Sequence, residues 1–299
     1  LRITGINLLG DNASEFDRTH SCNTVAPGAS CVIDVLFKPA SAGSKSAILS
    51  VTHNASSGPV NLKMLGLAKN QSPPTLQSDR DALAYIASHP DLIEAFGADV
   101  AKGRNHYEQY GFKEGRKVTF DPLSYVASYP DLIDAFGADE VKAATDYILK
   151  GYKANRRVNF TSLQALKYVS SHPDLIEAFG VDTGAAVRHY VQSGYKERRQ
   201  ITFEPIRYVA SHPDLIPAVG SDELKATIHY IQLGYREGRQ ITFTDLQSLR
   251  YTASHADLID AFGTNTTQAL RHYVDSGFAE GRGVTFEPLY YVASYPDLI

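Results

Sequence analysis

The sequence predicts a multidomain chain: a partial all-β sandwich over residues 1–68, a polar linker over 69–76, and an all-α solenoid of three-helix repeats over 77–299. Two patterns carry the prediction. Short runs rich in β-branched residues, broken by Gly, Pro, Ser and Asn, fill the first part, as antiparallel strands do. Beyond them one phrase recurs six times, from Tyr85, Tyr125, Tyr168, Tyr208, Tyr251 and Tyr291, at intervals of 40, 43, 40, 43 and 40 residues. Self-similarity at such a period marks a stacked array. Composition sets the outer bounds: 43% hydrophobic, 21% charged, 29 basic against 33 acidic side chains, net charge −4. That balance gives no support to a nucleic-acid-binding face, which needs clustered excess Lys and Arg. No apolar run approaches the roughly 18 residues that suggest a membrane span. A single Met (Met64) and no signal-like start lead us to expect a mature or internal piece of a longer chain.

In chain order, LRITGINLL, SCVIDVLFKP, SAILSVTHN and GPVNLKMLGLA are the expected strands. Within them, SCNTVAPGASCVIDVLFKPASAGSKSAILSV has a Cys, a PGASC turn, an FxP strand end and an AG-x-x-x-A-x-L-x-V strand, followed by a closing L-x-G. In these features it resembles the immunoglobulin-like choice-of-anchor D (ASH-related) domains of bacterial surface proteins. The resemblance covers most of 1–68 and implies an Ig-like sandwich on an exported protein. Such domains usually carry another strand or two upstream, so an upstream segment or a neighbouring molecule is expected to supply them. Cys22 and Cys31 are either a disulfide or two buried thiols, and a secreted β-sandwich favours the disulfide. No His or acid is spaced to make them a metal site. KNQSPPTL, 69–76, is the linker.

The copies run 77–120, 121–160, 161–203, 204–243 and 244–286, with a partial one at 287–299. Ser88-x-x-Asp91 fits a capping box, in which the Ser accepts from an early helical N–H and the acid reaches back. The pair recurs as Ser128/Asp131, Ser171/Asp174, Ser211/Asp214, Ser254/Asp257 and Ser294/Asp297. Each short DLIxAF helix then meets Gly97, Gly137, Gly180, Gly220 or Gly263, expected to end it in the left-handed conformation. Asp99, Asp139, Asp182, Asp222 and Asn265 are N-caps for a third helix, which carries an HY or DY pair and is expected to stop at Gly111, Gly151, Gly194, Gly234 or Gly277. A second turn follows at Gly115, Asn155, Arg198, Gly238 and Gly281, where Arg198 is the misfit because only Gly and Asn take positive φ readily. A short extended VTF-like piece closes each copy.

The alternation of 40 and 43 lies in the first helix. TSLQALKY and TDLQSLRY carry three residues more than DPLSY, EPIRY or EPLYY, nearly one helical turn. Odd copies are therefore expected to begin with a longer helix, and even copies with Pro at the first helical position. Two copies together make an 83-residue super-repeat. Pro217 should distort the second helix of the fourth copy. One copy holds too few large apolar side chains to offset the entropy of ordering it, so the copies must stack. The repeats also resemble arrays in large secreted proteins of alphaproteobacteria, loosely labelled calcium-binding or hemolysin-like. That resemblance implies export and no defined activity; the GGxGxDxUx signature and an EF-hand loop are both absent.

Arg116, Arg156, Arg199, Arg239 and Arg282 recur in step with Asp91, Asp131, Asp174, Asp214 and Asp257. A planar guanidinium grips a carboxylate with two bonds, so an Arg–Asp bridge between copies is expected to fix the stacking angle; solvated Arg beside a local cap is the alternative. Histidines at 89, 172, 212 and 255 and at 106, 189, 229 and 272 form two ladders. Tyr129, Tyr295 and Asp146 stand in sister positions, and Tyr substitutes poorly for a zinc-binding imidazole, so the ladders are expected to be structural. The eighteen Tyr mostly fall at recurring helical positions whose default destination is the core, and a glycan groove is the less favoured reading. No G-x-S-x-G elbow, P-loop, Rossmann fingerprint or HExxH is present, so neither catalysis nor a cofactor is expected. The expected function is a structural or adhesive segment of an exported, cell-surface or extracellular bacterial protein, acting as spacer or as filament or lattice element. Its expected partners are other copies of itself or neighbouring domains of a long chain. The alternative is a solenoid that binds a protein or glycan. Non-repeated exposed aromatics on one face would favour binding.

Overall fold

The computed structural model describes residues 1–68 and 75–298. The chain divides into two compact units, Leu1–Pro74 and Thr75–Ile299. Of the expected linker, residues 69–74 lie outside the described part.

The first unit is a small antiparallel sheet region. Strands β1 (Ile3–Leu9), β2 (Phe16–His20), β3 (Ile33–Phe37), β4 (Gly43–His53) and β5 (Val60–Ala68) form two sheets, β1-β4-β5 and β2-β3. Alternation sets the faces: Ile6 and Leu49 turn inward with Cys22, and Ile3, Leu8, Ile33, Val51 and Met64 pack around them. The sheets are matched where Gly66 of β5 leaves room for the Phe37 ring of β3; a Cβ there would come within 2.5 Å of it. Glu15 and Lys45 pair at 2.9 Å with side chains only 12% and 10% exposed. Strand β2, FDRTH, escapes the sequence pattern because only Phe16 of its five residues is buried.

The second unit is a run of helices at repeated spacing. First helices are Asp79–Ala87, Pro122–Ala127, Ser162–Ser170, Pro205–Ala210 and Asp245–Ala253, nine residues in odd copies and six in even ones. Pro122 and Pro205 open the short form, as the sequence predicts. Second helices are Pro90–Phe96, Pro130–Phe136, Pro173–Phe179, Ile216–Val219 and Ala256–Phe262. Pro217 cuts its helix to four residues where the others have seven. Third helices are Val100–His106, Glu140–Asp146, Thr183–His189, Glu223–His229 and Thr266–His272, each N-capped by the expected Asp or Asn. A partial sixth copy supplies a last helix, Pro288–Ser294.

Two local expectations need correction. The serines of the phrase are not capping boxes. Ser88 ends the first helix, and the second helix starts at His89 and Pro90 without a side-chain cap. The Ser88 Oγ donates to the Ala84 carbonyl at 2.7 Å and accepts from the N–H groups of Thr119 and Phe120, both at 2.9 Å. Ser128, Ser171, Ser211 and Ser254 repeat this. The hydroxyl thus satisfies two backbone donors of the closing piece, which has no strand partner to do so. Second, Gly97 takes φ +54° with ψ −143°, outside the left-handed helical basin and in a region open almost only to glycine. The third helix ends at Gly111 as expected, but by a wider turn. The α-helix passes into a π turn, Tyr107–Gly111, with the Phe112 N–H donating to the Tyr107 carbonyl at 2.9 Å.

Arg198 adopts the positive φ of its sister glycines, at 57°. A Cβ in that conformation costs roughly 1–2 kcal/mol, and nothing around Gly115, Gly238 or Gly281 compensates one. Arg198→Gly should therefore raise the unfolding free energy by about 1 kcal/mol, read as a higher denaturation midpoint at unchanged m-value.

Candidate functional site

The repeated feature that can do work is the joint between copies, and it is built around one tyrosine per copy. Tyr85, Tyr125, Tyr168, Tyr208 and Tyr251 of the first helices are fully buried. A buried phenol needs a partner for its O–H. Tyr125 donates to Asp146 at 3.0 Å, and the others lie 2.8–2.9 Å from Nδ1 of His106, His189, His229 and His272. A carboxylate can only accept, so in the second copy the phenol donates, and in the others an imidazole nitrogen stands in the same place within hydrogen-bond distance. Burial pushes the phenols of Tyr85, Tyr168, Tyr208 and Tyr251 up to about 12. The last residue of each π turn is the glycine the ring requires. A Cβ at Gly111, Gly194 or Gly277 would stand about 2 Å from the phenol oxygen.

Around this core the first helices of copies one to four each pack against the third helix of their own copy and the third helix of the next. The closing Phe120, Phe160, Phe203 and Phe243 stack on Tyr147, Tyr190, Tyr230 and Tyr273 of the following copy, with centroids 4.3–5.1 Å apart. The second histidine ladder lies edge-on to the buried tyrosines: His89, His172, His212 and His255 sit 5.1–5.3 Å from Tyr85, Tyr168, Tyr208 and Tyr251. Tyr129 takes the same place and donates to the Arg157 carbonyl at 2.9 Å.

The predicted Arg–Asp pairs meet, but within copies rather than between them. Arg116–Asp91, Arg156–Asp131, Arg199–Asp174, Arg239–Asp214 and Arg282–Asp257 are bridged at 2.7–2.9 Å, each across 25 residues. The chain turns back after the π turn, so the arginine lands on the start of its own second helix. All but Arg156 also hold the acid two residues upstream, such as Glu197 for Arg199.

Other residues carry the charge between copies, and sequence reasoning missed them. Glu140 of the second copy bonds Arg80 of the first at 2.7 Å and Arg188 of the third at 2.6 Å. Glu223 meets Arg271 at 2.7 Å. Along the first helices Lys167–Glu204, Arg207–Asp245 and Arg250–Glu287 link neighbours. Burial alone would raise the Glu140 carboxyl; the two guanidiniums outweigh it and hold it below the usual range. The signal was available as acids and bases recurring every second copy.

In the first unit Cys22 and Cys31 form a disulfide, S–S 2.09 Å, closing the loop between β2 and β3. No family model, curated protein or solved structure matches the chain.

Two predictions follow from these geometries. Glu140→Gln should destabilise the array by about 1–3 kcal/mol, the worth of charge-assisted bonds, whereas Arg199→Gln, whose partner Asp174 is 58% exposed, should cost at most about 1 kcal/mol. Equal effects in denaturant titrations would contradict this ranking. The second concerns acid. Burial first, and the neighbouring arginine second, lower the imidazoles of His89, His172 and His212 below their ordinary value of 6.5. Unfolding takes up protons there, so stability is full above about pH 6.5 and falls as pH drops below it. The carboxyls of Asp174, Asp214 and Asp257, lowered by their arginine hydrogen bonds, add a second loss below their ordinary 3.8. Replacing the three histidines by Tyr, as at Tyr129, should abolish the first loss and leave the second, in melting curves from pH 7 to 3.

Proposed function

We propose that the chain is a structural segment of an exported bacterial surface or extracellular protein. In this reading an Ig-like module leads into an array with an 83-residue period, serving as a spacer and as an element of filament or lattice assembly. The observation that carries it is the joint. Four first helices are each shared between two copies, so load or alignment passes from copy to copy without a flexible link, as in other stacked arrays. A face repeated at fixed steps also lends itself to self-association, because one contact can recur. The disulfide is compatible with an oxidising compartment, and no described helix is long and apolar enough to cross a membrane.

The binding reading rests on less. A cleft of about 480 Å³ opens at the first joint beside Ser88, Phe120, Tyr147 and Phe160. Between residues 77 and 286, however, the exposed aromatic side chain is Tyr110 alone, which is no platform for stacking sugars. Light scattering behind size exclusion, with negative-stain images, tests assembly. The expected result is a mass that grows with concentration from the 32.8 kDa chain and particles aligned side by side. A constant 32.8 kDa at all concentrations would leave a spacer and remove assembly.

A further inference from the structure

The first unit gathers an asparagine, a glutamate and a lysine around one oxygen atom. Strand β1 ends at Leu9, opposite Ile48 of β4, so the N–H of Ser46 lies beyond the last β1 partner. The side chain of Asn12 takes the vacated place, its Oδ1 accepting from the Ser46 N–H at 3.1 Å. The Nδ2 of the same carboxamide donates to Glu15 Oε1 at 3.4 Å. That Oε1 also accepts from Lys45 Nζ at 2.9 Å, and Lys45 directly precedes Ser46 in the strand. An amine and a carboxamide thus share one carboxylate oxygen.

The three groups are held in place from every side. Glu15 Oε2 accepts from the Ala40 N–H at 2.9 Å, and Lys45 Nζ donates to the Ser41 hydroxyl at 2.8 Å. Lys45 lies opposite Gly66 across the sheet, and the Phe37 ring covers Gly66. Phe16, next to Glu15, is buried against that ring. The hydrogen bond from Lys45 holds the Glu15 carboxyl below its usual range, so it starts as the ionised acceptor. Taking an ion pair out of water is costly, and passing one proton from the ammonium to the carboxylate discharges both members at once. A neutral amine, the nucleophilic form, then stands beside a carboxamide whose oxygen already meets a backbone donor.

We propose that Lys45 and Asn12 become joined by an intramolecular amide bond, with Glu15 as the proton carrier. Glu15 Oε1 takes a proton from Lys45 Nζ, and the neutral nitrogen attacks the Asn12 carboxamide carbon. The negative charge that develops on Oδ1 falls on the Ser46 N–H, the role of an oxyanion-hole donor. Glu15 hands its proton to Nδ2, the C–Nδ2 bond breaks, and the new amide keeps the Nζ. Of the three hydrogens on the Lys45 ammonium, one stays on the amide and two go with Nδ2, which leaves as ammonium. Glu15 is restored as a carboxylate, nothing is oxidised or reduced, and no further reactant enters. An amine attacks a carboxamide slowly in water, and fixing both on one oxygen supplies the effective concentration. The link encloses β2, β3 and the Cys22–Cys31 disulfide in one covalent loop. The inference does not rest on the assembly reading above.

Intact mass spectrometry of the full chain, denatured and with its disulfide reduced, tests the bond. The expected mass is that of the sequence less one ammonia, and proteolysis should yield a branched peptide joining the stretch around Asn12 to the stretch around Lys45. Glu15→Gln keeps both reacting groups and removes the proton carrier; it should restore the full mass, as should Asn12→Ala and Lys45→Arg. The unsubstituted chain decides the matter even where a variant fails to fold. Full mass there, after prolonged incubation at neutral pH, overturns the proposal and leaves an ion pair. Loss of one water in place of ammonia would put the bond between Lys45 and Glu15, and overturns it as well. So does an ammonia loss that persists in Lys45→Arg, since Asn12 would then have cyclised onto its own backbone.

Discussion

Every complete copy turns on a phenol with nowhere to go but inward. The tyrosine of the first helix is wholly buried, and leaving its O–H unpaired there would cost the desolvation of a hydroxyl, roughly 1–3 kcal/mol. Three features of the copy follow from that constraint. A partner must stand on the third helix, and His or Asp supplies it. The backbone near the phenol must lack a Cβ, which makes the residue after it in space a glycine. The helix must widen locally to bring that glycine and the following tyrosine into place, and a π turn does so. Such turns often mark functional sites; five in identical places mark a structural solution.

A second constraint separates what holds a copy from what holds the array. Inside a copy, a serine hydroxyl ties the closing piece to the end of the first helix, and an Arg–Asp bridge ties the second turn to the start of the second helix. Both span 25 to 32 residues and never leave the copy. Between copies the contact is mostly apolar: helix on helix and Phe on Tyr. Surface ion pairs contribute little individually, so the bridges set register while burial supplies the attraction. Glu140 is the exception because it is only 18% exposed and holds two arginines.

Local signals were legible in the sequence and non-local ones were not. The third-helix caps at Asp99, Asp139, Asp182 and Asp222, the longer odd helices and the short helix at Pro217 all depend on residues within one turn of each other, and each was expected. Ser-x-x-Asp was misread because its spacing matches a capping box, although the donors its hydroxyl satisfies lie 31 and 32 residues away. The Arg–Asp pairs were recognised as partners and assigned to the wrong interface, since recurrence in step cannot tell a contact within a copy from one between copies. The helices end at Gly111 and its sisters as expected, but the reason for glycine there, a ring overhead, is non-local and left no mark in the sequence. Strand β2 was invisible for another reason: its pairing with β3 comes from backbone bonds and one buried ring.

The charged pair at 104 and 108 shows how a repeat can be read against itself. Within an array, positions constrained by their own copy keep their chemistry everywhere, as the buried tyrosine does. Positions constrained by a neighbour keep it only where the neighbour exists. Arg104 and Glu108 put charges where the other copies bury an uncharged pair, such as Ala144 and Ile148 in the second, while Asp99, His106 and Gly111 of the same segment hold to pattern. The break therefore concerns the joint alone. The use of Arg104 supports this, since its guanidinium is spent on the Leu76 carbonyl, just ahead of the first helix, and on Asp79, that helix's first residue. A helix that no longer receives a preceding copy has become the anchor for the segment that enters the array.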